Sequence, residues 1–187
     1  MRFAIEPTSY AGYEARELVD TGGGLAATFL PGLGMVGVSL LHRGEELLGR
    51  TDNLPRYASE GSTLGIPLLH PWANRLGGSS YTAAGRAVEL DPGSPLLHLE
   101  EHGLPIHGVA GPRLPWRLTG ERATADGAVL EAELHYATPE LLAVFPFPHA
   151  LRQRIVLGPG GLTVTTTLSP SGETAVPVAF GIAVTGS

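Results

Sequence analysis

From Ala128 to Tyr136 the chain reads AVLEAELHY, with apolar side chains at every second position. Ala128, Leu130, Ala132, Leu134 and Tyr136 share one face, and Glu131, Glu133 and His135 share the other. A period of two is the mark of a strand with one buried face. LTVTTTLS, Leu162 to Ser169, alternates in the same way, and its β-branched residues suit a pleated surface. LRQRIVL, Leu151 to Leu157, precedes it across the turn signal GPGG. Asp126-Gly127 joins WRLTGERATA to AVLEAELHY as a hairpin, and YTAAGRAVEL, Tyr81 to Leu90, folds back about Gly85. No segment keeps a 3.6-residue period between caps, while 26 glycines and 16 prolines punctuate the chain. Many short strands separated by frequent turns make an all-β sandwich or barrel. There is no linker, repeat or low-complexity tract among the 187 residues, so one domain over 1–187 is expected.

Charge and composition exclude several functions. The net charge is −6 and no block of Lys and Arg stands out, which leaves no surface for a nucleic-acid backbone or an anionic membrane. There is no cysteine, hence no disulfide framework and no thiolate nucleophile or ligand. The opening MRFAIEPTSYAGYEARELVD has no apolar core of a signal peptide, and no stretch is long and apolar enough to span a bilayer. A cytoplasmic protein is expected.

Three patterns invite readings their context does not support. GLGMVG, Gly32 to Gly37, fits G-x-G-x-x-G, but VGVSLLHRGEELLG follows it as strand, Arg43-Gly44 turn and short strand. A dinucleotide site needs a helix there to hold the pyrophosphate, so these glycines read as a turn. HLEEH, His98 to His102, fits H-x-x-E-H, which would make a zinc hydrolase on His98, Glu101 and His102. Pro92, Pro95, Gly103 and Pro105 crowd out the helix that chemistry requires, and a polar surface loop is expected. Of the seven histidines, His42, His135 and His149 have no carboxylate partner or spacing rule and receive no role.

Two stretches carry more. GIPLLHPWANRLGGSSY, Gly65 to Tyr81, sets Asn74 and Arg75 behind an apolar run, and LPIHGVAGPRLPWRL, Leu104 to Leu118, sets His107 among prolines and glycines. A guanidinium fork, an amide and a neutral imidazole together supply the donors and acceptors that a ring of hydroxyls demands. Taken singly, Arg75 reads as a salt bridge at a sheet edge and His107 as a satisfied buried histidine. Trp72 and Trp116 read as core residues rather than as sugar-stacking platforms.

In order, these segments resemble the aldose 1-epimerase (galactose mutarotase) family. PLLHPWANRLGGSSYTAAGRAVEL from Pro67, LPIHG from Leu104 with Pro115-Trp116 after it, FPFPHALRQRIVLGPGGLTVTTTLSPSGETAVPVAFG from Phe145, and the early GGGLAATFLPGLGMVGVSLLHRGEELL each look like a family segment. The resemblance implies an antiparallel β-sandwich of the galactose mutarotase type, a supersandwich. It implies interconversion of the α and β anomers of an aldohexose by general acid-base ring opening. It implies no cofactor and no metal. The family's sugar-binding Arg and His fall on Arg75 and His107, with Asn74 beside them.

The likeness also has departures. The family's acid is a His following a strand that ends in Phe-Gly, and by position Ala183 stands there. The family's base is a Glu far downstream, with no counterpart in these residues. Glu100, Glu131 and Glu133 match no motif that would replace it. The expectation is therefore the N-terminal part of such a domain, incomplete at the C-terminus, with little or no activity and uncovered strand edges that favour self-association. The other function classes are a non-catalytic carbohydrate-binding module and the zinc hydrolase.

Overall fold

The computed structural model describes residues 1–49 and 51–186. The chain begins with an antiparallel meander of β1 (Phe3–Tyr10), β2 (Tyr13–Asp20), β3 (Leu25–Leu30), β4 (Val36–His42) and β5 (Glu45–Glu46), paired in that order. Helix α1 (Leu54–Glu60) follows, then β6 (Leu68–Leu69), the hairpin of β7 (Ser80–Ala83) and β8 (Arg86–Glu89), and the hairpin of β9 (Leu97–Leu99) and β10 (Pro105–Val109). A second meander contains β11 (Arg117–Ala123), β12 (Ala128–Tyr136), β13 (His149–Gly158) and β14 (Gly161–Pro170), with helix α2 (Pro139–Val144) between β12 and β13. Finally β15 (Gly181–Ile182) returns to pair antiparallel with β6.

The meanders pack face to face as an antiparallel sandwich. Phe3, Leu18, Ala27 and Phe29 of the first meet Ala128, Leu130, Ala132, Ile155 and Leu157 of the second. The alternation of AVLEAELHY drives this packing: its five apolar residues are at most 1 % exposed, and each large one contributes about 1.5–3 kcal/mol on burial. The same strands run on past the first meander. There Leu134, Tyr136 and Leu151 pack beneath Leu68, Trp72, Val109 and Phe145. A third cluster joins α1 to the first meander through Leu54, Tyr57, Leu30 and Val38.

Several turns form as their residues dictate. Ala84 and Gly85 both take positive φ, 46° and 77°, which the right-handed twist of a two-residue hairpin requires. The Gly32–Gly37 stretch makes one 3-10 turn over Pro31–Leu33 and enters β4 directly, with no helix behind it. The two helices are not visible in the sequence pattern, since at seven and six residues neither is long enough to establish a period. For α2 a local signal does exist: Pro139 opens the helix, and Thr138 Oγ1 accepts the Leu141 N–H at 3.4 Å.

Candidate functional site

Residues 67–75 form a spine flanked by both neighbours that matter. On one side Leu68 and Leu69 pair with Ile182 and Gly181, and the Ala183 N–H donates to the Pro67 carbonyl at 3.4 Å. Further along, Trp72 bridges to Ala179, and the Ala73 N–H donates to the Ala179 carbonyl at 2.9 Å. On the other side His70 bridges Gly108 in parallel and Arg75 bridges Ile106 antiparallel. The His107 N–H donates to the Asn74 carbonyl at 3.3 Å, and the Leu76 N–H to the Pro105 carbonyl at 2.8 Å. Asn74, Arg75 and His107 thus meet in one patch, and Ala183 lies across the spine from β10.

Local backbone geometry explains the residue types. The register of β9 and β10 shifts between Ile106 and Val109, which leaves His107 and Gly108 as a bulge. Both have positive φ, 66° and 74°. A Cβ on Gly108 would sit 2.1 Å from the His70 carbonyl oxygen, so only glycine fits beside this imidazole. His107 is half-buried, and its Nδ1 has no partner within the protein among the described residues. Burial lowers its pKa, helped by His98, so it stays neutral at ordinary pH. His98 lines the same small pocket, with Ser62, Thr63, Pro67 and Leu68.

Arg75 is not free of protein partners. Its Nη1 donates to Glu100 Oε2 at 3.1 Å, and its backbone N–H to Asn74 Oδ1 at 2.8 Å. Glu100 Oε1 accepts the N–H groups of His102 (2.9 Å) and Leu104 (3.1 Å). Burial pushes the Glu100 carboxyl up, but those N–H groups and the charges of His102 and Arg75 outweigh it, and its pKa lies below the usual carboxylate range. The ion pair read for Arg75 alone is therefore present, with half of its side chain still open to solvent.

Other residues weighed from the sequence lie elsewhere. His98 belongs to β9 and its Nδ1–H donates to the Glu60 carbonyl at 2.8 Å, while Glu100 to Gly103 form a turn rather than a helix. Glu100, Glu101 and His102 bring their polar atoms within 4.8 Å of one another on an open turn, but Glu100 is already engaged by its own backbone and Arg75. Glu131 and Glu133 stand on the outer face of β12, paired with Arg122 and Arg117. Neither is paired with Arg75 or His107.

Beneath the patch lies a pair that sequence reasoning passed over. His70 and His149 are buried, with their Nε2 atoms 2.8 Å apart. The Phe147 carbonyl, 2.6 Å from His149 Nδ1, requires a proton on that nitrogen. His149 Nε2 then accepts from His70 Nε2–H, and His70 Nδ1 is left as a bare acceptor without a partner among the described residues. Burial, reinforced by His149, pushes the pKa of His70 down to about 3. Tyr136 stacks on His149 at 4.7 Å between ring centroids. The FPFPH bend before β13 was the only hint in the sequence that His149 starts a strand pointing inward.

Comparisons with known proteins bear on this arrangement. The Slr1438 protein from Synechocystis sp. PCC 6803 superposes with a TM-score of 0.74 at 22 % identity, covering 96 % of this chain and 55 % of that one. A galactose mutarotase-like protein from Clostridium acetobutylicum gives 0.76 at 18 % identity, covering 97 % of this chain and 53 % of that one. The galactose 1-epimerase from Lactobacillus acidophilus NCFM gives 0.57 at 16 % identity, covering 84 % and 45 %. At these identities the likeness is one of fold, and the chain spans about half the length of these structures. No curated protein matches the sequence. The model of the family described as aldose 1-epimerase matches residues 30–183, which takes in the spine, both hairpins and the second meander, and the chain therefore belongs to the aldose 1-epimerase family.

Proposed function

We propose that Asn74, Arg75 and His107 bind the hydroxyls of an aldohexose such as glucose or galactose. The observation that carries this reading is the antiparallel bridge between Arg75 and Ile106, which sets the Asn-Arg pair beside the bulged His107. Arg75 offers a charged fork, Asn74 keeps its amide NH₂, and neutral His107 presents one donor and one acceptor. An array of that kind fits a polyhydroxylated ring and has no need of a cofactor.

The family reaction opens a hemiacetal ring and recloses it on the other face, which calls for a proton donor at the ring oxygen. The resemblance aligns Ala183, whose N–H donates to the Pro67 carbonyl, with that donor, and a methyl group transfers no proton. We propose that these residues bind the sugar without accelerating mutarotation. General acid-base catalysis contributes typically ~10²–10⁴-fold, so its absence is easily read.

Two measurements test this. Isothermal titration with galactose or glucose is expected to show binding that Arg75→Ala weakens at least about tenfold, the loss of one charge-assisted contact. Polarimetry of freshly dissolved α-D-glucose is expected to show the same rate with protein as with buffer. Binding unaffected by Arg75→Ala would remove the site. A rate above buffer that Arg75→Ala abolishes would show that another group supplies the proton.

A further inference from the structure

We infer that Glu100 is a positioning residue that aims the Arg75 guanidinium at the sugar and cancels its charge, so that the site selects a neutral aldose over its phosphate ester. The inference rests on the proposed sugar-binding role of Arg75.

The geometry is specific to Glu100. Arginine carries a long stem with many rotamers, and a side chain half open to solvent does not hold its fork still unaided. Glu100 does hold still. Its side chain is only 13 % exposed, and both N–H groups on Oε1 come from its own turn. That turn is closed twice more, by the Glu100 N–H on the Leu104 carbonyl at 3.0 Å and the Gly103 N–H on the Glu100 carbonyl at 2.9 Å. Oε2 is thereby presented at a fixed point, and it takes Nη1 of Arg75. The remaining guanidinium N–H groups find no protein acceptor among the described residues and stay available to a ligand. The same hairpin carries His107 on β10, so a single element sets both the imidazole and the anchor of the guanidinium.

Selection between ligands follows from charge. A phosphate ester needs cations with no carboxylate already on them. Here Arg75 is committed to Glu100, and Glu101, the next residue along the turn, adds a second acid. Hydroxyls, by contrast, can share the guanidinium with a carboxylate.

Glu100→Gln tests this because the amide keeps an oxygen for the turn and replaces only the charge and the acceptor facing Arg75. Binding of galactose and of galactose 6-phosphate is measured by titration calorimetry for the wild type, Glu100→Gln, Glu100→Asp, Arg75→Ala and the double variant, each checked for folding by its urea midpoint. The wild type is expected to prefer galactose. Glu100→Gln is expected to weaken galactose binding about tenfold and to tighten the phosphate ester, reversing the preference. Glu100→Asp, which withdraws the charge by one methylene, is expected to fall between. In the Arg75→Ala background Glu100→Gln is expected to change nothing further, which a purely structural role would not produce. An unchanged ratio of the two affinities in folded Glu100→Gln, with Arg75→Ala still defective, overturns the inference and leaves the sugar site standing. A wild type that binds neither ligand, or that binds as Arg75→Ala does, removes the sugar site and the inference with it.

Discussion

β12 and β13 pass through two different interiors. At the Ala128 end they bury only aliphatic side chains, with Leu130, Ala132, Ile155 and Leu157 fully enclosed against the first meander. At the Tyr136 end the same two strands bury a histidine pair and a phenol whose oxygen has no partner within the protein among the described residues. Gln153 stands between the two, 4 % exposed, opposite Thr166 of β14. The first end is a packing solution that many apolar residues would satisfy. The second is directional, since the His70–His149 contact and the His149–Phe147 hydrogen bond fix which nitrogens carry protons, and His70 ties it to the spine. The sandwich thus supplies stability at one end and a fixed geometry at the other.

Leu130→Ala is expected to cost about 2–5 kcal/mol in urea denaturation, because the surrounding strands cannot collapse into the space. His149→Leu alone is expected to cost about 1–3 kcal/mol, since it strands the His70 N–H in a buried site. Replacing both His70 and His149 with leucine is expected to cost less than that single change, because no donor is then left without an acceptor. If the double variant instead costs the sum of the two single ones, the histidines act as independent packing groups and the two interiors are alike.

Acid separates the ends as well. Burial depresses both histidines, so the unfolded chain binds protons that the folded chain refuses. Stability from this pair is full above the ordinary histidine pKa and is lost as pH falls from about 6.5 toward 3. His70, held neutral down to about 3, is expected to lower stability by about 2 kcal/mol between about pH 7.5 and about pH 5, and His149 adds to the loss in the same direction. The double leucine variant is expected to flatten that slope. The Arg2 guanidinium holds Asp20 down to about 2, so stability from that pair is lost as pH falls from the ordinary aspartate pKa of 3.8 toward 2, below the pH 5 end of this comparison. A wild-type urea midpoint that does not move between the two pH values would show that the folded pair takes up protons as readily as the unfolded chain, so that burial does not hold it neutral.

How far the sequence revealed each end follows from the same contrast. The aliphatic end is written in a period of two, and AVLEAELHY shows both its span and its buried face directly. The site is written less openly. Asn74, Arg75 and His107 were found as an ordered set of residue types, but their meeting depends on a spine paired to β10 and β15, both far downstream in sequence, which no local pattern encodes. Glu100 looked like one unplaced carboxylate among three, and only the turn at Glu101–Gly103 brings it to Arg75. His149 looked incidental because its partner is 79 positions away. Helices α1 and α2 escaped because two turns carry too few residues to show a stripe.

The smallest expected effect lies on the opposite face of β12. Glu131 accepts from Arg122 at 2.6 Å and lies 3.5 Å from Arg154, and Glu133 pairs with Arg117. The Glu131–Arg122 contact is shorter than the His70–His149 one, yet water reaches it. Water screens their attraction and the freed side chains regain rotamer entropy, so Glu131→Gln is expected to change stability by about 0.2–1 kcal/mol, and by less at high salt. The His149 substitution involves a longer contact, 2.8 Å, and is expected to cost more. Measuring both by urea denaturation isolates solvent access as the variable, because the two residues lie on the sheet formed by β12 and β13. A Glu131→Gln loss equal to that of His149→Leu would mean that distance, and not burial, sets the energy of polar pairs in this sheet, and the contrast between its two interiors would lose its physical basis.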